Sequence, residues 1–247
     1  MAIQTSHVGS LPRQKVVDYI FAREKGEDYN EIEFDQVMTE AVNDTVRRQK
    51  KAGITIVSDG ETSKISYATY VKDRYHGFAG DSPRNAPADL KKFPNYLQKL
   101  ANDGGTPKYA RPMCVSKLEP KKNDDLIKDI DNLKKALKGN DIKKGFMNAA
   151  SPGVISLFLQ NDYYPSREDY LEALSNLMQF EYEMIVKSGL DLQIDCPDLA
   201  LSRHMLFNDM SDDEFVKVAS INIESLNNAL RNIPKDKIRI HICWGNY

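Results

Sequence analysis

The sequence predicts an α/β fold of the (β/α)8-barrel type, on three observations. A helix, a glycine, a short apolar strand and an aspartate follow one another twice, around Gly53 and Gly189, with Asp59 and Asp195 each six residues after their glycine. Both aspartates therefore fall at the carboxyl end of a strand. A third helix leads through Pro234 into a last apolar strand, and helices alternating with strands imply parallel βαβ units. The strand exits HVGSLPR, SDGE, NAASPG, DCPD and HICWG all carry polar or special residues, and chemistry gathered at the carboxyl ends of parallel strands is the arrangement of that barrel. A doubly wound sheet is the rival, but no G-x-G-x-x-G follows the first strand.

In chain order, residues 3–8 form the first predicted strand. Phe34, Val37, Met38, Ala41, Val42 and Val46 then recur at three- and four-residue spacings, predicting an amphipathic helix over 33–52 that stops at Gly53. ITIVSDGE, residues 54–61, reads as a buried strand with a polar rim. Residues 76–112, rich in Gly, Pro, Asn and Asp, read as a long loop or small hairpin insertion. A strand follows at 145–149. Ser166 and Asp169 make a capping-box signature for a helix running to Lys187, before the strand LDLQID. SDDE at 211–214 opens a helix through Leu230, and IRIHICW is the last strand. The count is five strands, where such a barrel needs about eight. Residues 1–247 are thus expected to form a single, incomplete (β/α)8 domain.

A hydrophobic content of 41% is enough for a real core in a chain of this length. The 34 basic and 36 acidic residues nearly cancel and are interspersed, so no polybasic patch points to nucleic acid or an anionic membrane. No secretory leader pattern or membrane-length apolar run is present. Cys114, Cys196 and Cys243 are far apart and odd in number, which suits a reducing, cytoplasmic setting rather than a disulfide framework.

The closing HICWGNY places His241 and Cys243 one residue apart, and alternate residues of a strand point the same way. An imidazole and a thiolate presented together supply half of a tetrahedral zinc site. The same pair also reads as a buried cysteine beside a satisfied core histidine, and H-x-C alone does not decide.

Five segments, HVGSLPR, KAGITIVSDGE, NAASPGV, SGLDLQIDCPD and HICWGNY, occur together in an order that resembles the cobalamin-independent methionine synthase family. The likeness is to its C-terminal catalytic barrel and to shorter single-domain relatives, including epoxyalkane coenzyme M transferase, and it covers nearly all of the chain. It implies a barrel of the methionine synthase/uroporphyrinogen decarboxylase-like kind. It also implies zinc-dependent methyl transfer to the thiol of homocysteine, with a methyltetrahydrofolate-type donor. By this resemblance His241 and Cys243 match zinc ligands, the remaining ligands being expected beyond Tyr247. Glu61 and Asp195 match the acids that hold the acceptor's amino group, and Ser10 matches the position that meets its carboxylate.

Each position also has a plainer reading. Asp59 fits a helix cap, Asp195 a turn or cap, and Ser10 an ordinary Gly-Ser turn. His7 and His204 are secondary candidates, Cys196 is expected to be a packing thiol, and Trp244 either stacks on a flat donor or packs the rim. Two other functions compete: a coenzyme M or other thiol alkyltransferase, and a noncatalytic or split fragment that needs a complementing C-terminal piece.

Overall fold

The structure, a computed structural model, describes residues 3–13, 16–82, 88–103, 109–122 and 124–244. Helix α1 (Val16–Lys25) leads into α2 (Glu31–Lys51), which Asn30 starts by accepting from the N–H groups of Ile32 and Glu33, both at 3.1 Å. A single turn, α3 (Val71–Arg74), enters β1 (Tyr75–Ala79). After α4 (Ala88–Lys91) and α5 (Pro94–Asp103), β2 (Met113–Pro120) pairs antiparallel with β1. Residues 76–112, read from sequence as a long loop or small hairpin, thus lie largely between the paired strands Tyr75–Ala79 and Met113–Pro120 and, among the described residues, carry α4 and α5. Helix α6 (Asp124–Gly139) packs back on α2.

The site rests on the C-terminal elements. Strand β3 (Phe146–Ala150), α7 (Pro152–Phe158), α8 (Arg167–Lys187), β4 (Asp191–Asp195), α9 (Ser202–Met205), α10 (Asp212–Ala229) and β5 (Ile238–His241) complete the described chain. The strands form a parallel sheet in the order β3-β4-β5. Ser166 and Ser211 cap α8 and α10 as their sequences predict, Ser211 in a reciprocal capping box with Glu214. The two helices approach closely through small residues: the Ser175 hydroxyl donates to Ser225 O at 2.9 Å, and the Ser225 hydroxyl to Leu171 O at 3.0 Å. Every residue of β3 is buried, so this strand is covered on both faces. By contrast β5 is an edge strand among the described residues, with Ile240 and Ile242 each 56% exposed.

Two of the five predicted strands are corrected. Residues 3–8 form no regular strand, and 54–58 contribute only a parallel bridge from Val57 to Gly145. Side chains have taken over the bonds a ladder would use. Thr5 O accepts from the N–H groups of Thr55 and Ile56 at 3.2 and 3.0 Å, but Thr5 N donates to the Thr55 hydroxyl at 2.7 Å. The Ser58 backbone is paired in both directions by the Gln49 amide, and Val8 O is claimed by two side-chain amides. The segments keep their places beside β3 without acquiring strand geometry.

Candidate functional site

A cavity of about 270 Å³ opens where these segments end, lined by Ser10, Glu61, Tyr67, Asp195, His241 and Cys243 among others. The five predicted site residues, spread over more than two hundred positions of sequence, all line it.

Glu61 reaches it from a strained turn. Gly60 has φ +69° and Glu61 itself φ +53°, a left-handed conformation costing a non-glycine residue of order 1 kcal/mol. The turn is over-determined: Asp59 Oδ1 accepts from Glu61 N at 3.0 Å, the Thr62 hydroxyl donates to Asp59 O at 2.6 Å, and Leu11 N donates to Gly60 O at 3.1 Å. Asp59 is thus the builder of the turn, not a helix cap. The Ser10 hydroxyl donates to Glu61 Oε2. Burial raises the Glu61 pKa above its ordinary value, the Lys64 ammonium and the Ser10 hydrogen bond oppose that rise, and nearby Asp195 and Asp59 add to it.

Asp195, at the end of β4, accepts on Oδ1 from Gln193 Nε2 at 2.9 Å and on Oδ2 from Asn148 Nδ2 at 3.0 Å. His241 lies beside it in β5, in register with Asp195, with Nδ1 at 3.2 Å from Asp195 Oδ1. This hydrogen bond raises the imidazole pKa. It also occupies Nδ1 and leaves Nε2 free to meet a ligand or a metal, the orientation a carboxylate gives a metal-binding histidine. The donors are of the kind zinc takes, nitrogen from His241 and sulfur from Cys243. Among the described residues, however, no three His, Cys, Asp or Glu side chains are grouped to hold a metal ion. Two of a zinc ion's ligands fit here, and the described residues do not complete the set.

The secondary candidates lie elsewhere. His7 lines a separate small cavity against α2, and His204 sits 5.7 Å, ring to ring, from Trp244, which is 70% exposed. Cys196 is fully buried with its thiol 3.8 Å from Ile194 O, and burial pushes its pKa up, as befits a packing thiol. Sequence reasoning missed Lys64, Asn148 and Gln193. The buried Lys64 ammonium donates to Asn148 O and lies 4.2 Å from the Tyr70 ring centroid. Asn148 did carry a signal: it is an amide in the middle of the otherwise apolar strand FMNAA, where a buried polar group must find partners, whereas Gln193 sits in the alternating DLQID and stood out less.

No protein-family model matches this chain. It is similar to methionine synthase of Saccharolobus solfataricus, 24% identical over 99% of this chain and 64% of the relative. It is likewise similar to methionine synthase of Thermococcus kodakarensis, 27% identical over 99% of this chain and 63% of the relative. Among solved structures, a B12-independent methionine synthase from Shewanella sp. W3-18-1 in complex with selenomethionine superposes with a TM-score of 0.68 at 22% identity, over 98% of this chain and 61% of that one. A putative vitamin-B12-independent methionine synthase from Listeria monocytogenes superposes with a TM-score of 0.66 at 17% identity, over all of this chain and 68% of that one. The chain spans a little under two thirds of the length of the curated relatives it matches. By sequence and by fold it is similar to the cobalamin-independent methionine synthases.

Proposed function

We propose that this chain carries the thiol-acceptor site of a methyltransferase that converts homocysteine to methionine. The observation that carries the reading is the convergence of Glu61 and Asp195, with Ser10, on one cavity that also receives His241 and Cys243. Two carboxylates facing one ammonium hold it by charge-assisted hydrogen bonds, and the ammonium relieves the repulsion between the acids. In the transfer the acceptor sulfur gains the methyl group as the donor's N–C bond breaks, and the released nitrogen takes a proton. The donor in this reading is of the methyltetrahydrofolate type. A coenzyme M thiol is the weaker alternative, because it carries a sulfonate and no amino group, and the acid pair would then face a like charge.

The finer reading includes zinc, with His241 and Cys243 as two ligands and the others from outside the described residues. When bound, zinc keeps the acceptor sulfur as thiolate, since a free thiol has a pKa of about 8.5. Two ligands hold zinc poorly, so the purified 247-residue chain should lose it to a mild chelator. Stoichiometric metal that survives such treatment overturns the two-ligand reading.

The chain is further proposed to be a single partial (β/α)8 domain, with the open edge of β5 and exposed Ile240 and Ile242 as the place where more parallel strands add, from a complementing C-terminal segment. A cytoplasmic location accords with the three free cysteines. The direct test is co-expression with the corresponding downstream segment of a relative. Methyl transfer to homocysteine by the assembled pair is expected, and its absence, with both pieces folded, refutes the proposal.

Gly9 gives a second test of the acceptor site. A Cβ built there would stand 2.8 Å from Glu61 Oε1, so the carboxylate must leave its place beside Ser10. Gly9→Ala should weaken homocysteine binding by about 1–3 kcal/mol, the worth of a displaced charged hydrogen bond, measured by calorimetry.

A further inference from the structure

We propose that Asn148 and Gln193 are positioning residues: a pair of buried amides that ties the Asp195 carboxylate to the first loop, so that Asp195 meets the ligand's ammonium in one fixed orientation. The inference rests on the amino-acid acceptor proposed above and concerns residues outside the expected ligand-binding set.

The two side chains are cross-strand neighbours, Asn148 in β3 being in register with Gln193 in β4, and each is 1% exposed. They do the same thing from adjacent strands. Asn148 Nδ2 donates to Val8 O at 3.1 Å and to Asp195 Oδ2 at 3.0 Å. Gln193 Nε2 donates to the same Val8 O at 2.7 Å and to Asp195 Oδ1 at 2.9 Å. All four contacts end on acceptors, so rotating either amide would set oxygen against oxygen, and the orientation of both is decided by their partners.

The consequences are specific. Val8 O receives two donors and has no capacity left, which pins the loop two residues before Ser10. Each oxygen of Asp195 takes an amide N–H, which fixes the plane of the carboxylate. Oδ1 also takes His241, while Oδ2 has the Asn148 amide as its side-chain donor. Oδ2 is therefore the oxygen left to meet a cation. The acceptor atom of Asn148, Oδ1, is buried with no partner among the described residues, so the side chain is held there for its N–H group. Two apolar residues would fill these strand positions without such a demand.

The test compares homocysteine with 4-mercaptobutanoate, the same thiol acid without the amino group, by calorimetric titration of the full chain and of Asn148→Leu and Gln193→Met. These replacements keep the shape and remove the donors. The parent is expected to prefer homocysteine, and each variant to lose about tenfold of that preference while binding the desamino acid nearly as before. A merely structural role would weaken both ligands alike, and that result overturns the proposal, as does a preference that survives in the variants. A parent with no preference for homocysteine refutes the acceptor reading itself and this inference with it. The two variants act on different oxygens of Asp195, so if thermal melting shows that one does not fold, the other still decides.

Discussion

Replacing Arg74 with methionine is expected to destabilise the fold by about 3–5 kcal/mol, the cost of stranding a buried charge. Arg74 Nη2 pairs with Asp129 Oδ2 at 2.5 Å, and Nη1 lies 2.7 Å from Glu181 Oε1, within ion-pair range though outside good hydrogen-bond angles. All three residues are buried, and the Tyr70 hydroxyl donates to Glu181 at 2.6 Å while its ring lies 4.6 Å from the guanidinium. The network joins α3, α6 and α8, so no single element can relax to solvate what remains. Burial raises the Asp129 pKa, with Arg74 opposing. Once Arg74 is gone that opposition disappears, and the folded state gains stability relative to the unfolded chain as pH falls and Asp129 takes up a proton. Urea denaturation should therefore show a larger deficit for Arg74→Met at pH 8 than at pH 5.5. A deficit under 1 kcal/mol at both would show that the charges reach water.

Glu61→Gln is expected to weaken homocysteine binding by about 1–3 kcal/mol without weakening the fold. Because the folded pKa of Glu61 is raised, the folded state binds this proton more tightly than the unfolded chain, and the stability it favours at low pH is lost as pH rises through that raised value. Glutamine, which cannot ionise, escapes this loss. The variant should melt at the same temperature as the parent or higher at pH 7.5, the trade between stability and function expected of a binding site. Ligand affinity should behave oppositely. The ammonium needs the carboxylate, so the parent's affinity falls as pH is lowered through the Glu61 pKa, and the variant loses that part of the pH dependence. Calorimetry from pH 5 to pH 8 checks both statements; equal affinity of parent and variant throughout removes Glu61 from the acceptor site.

The legible parts of this protein are those governed by local physics. Periodic apolar residues and serine caps marked α2, α8 and α10, because a helix must bury a stripe and satisfy its own first N–H groups. The alternating apolar residues after Gly189 and Pro234 marked β4 and β5, and a residue's place in a strand fixes which way it points, so Asp195, His241 and Cys243 could be expected at one end of one sheet. Tertiary structure alone decided what the first two segments became. Residues 3–8 and 54–58 have the composition of strands, but the Thr55 hydroxyl within them, and Gln49, Asn148 and Gln193 from elsewhere in the chain, claim backbone groups a ladder would use. A pattern of apolar residues records which face is buried; it does not record which distant side chain will compete for a carbonyl. For the same reason the sequence by itself determined that Asp195 stands at a strand exit, while the turn that carries Glu61, its convergence with Asp195, the amides that aim Asp195 and the lysine beside Glu61 were decided only when the chain had folded around them.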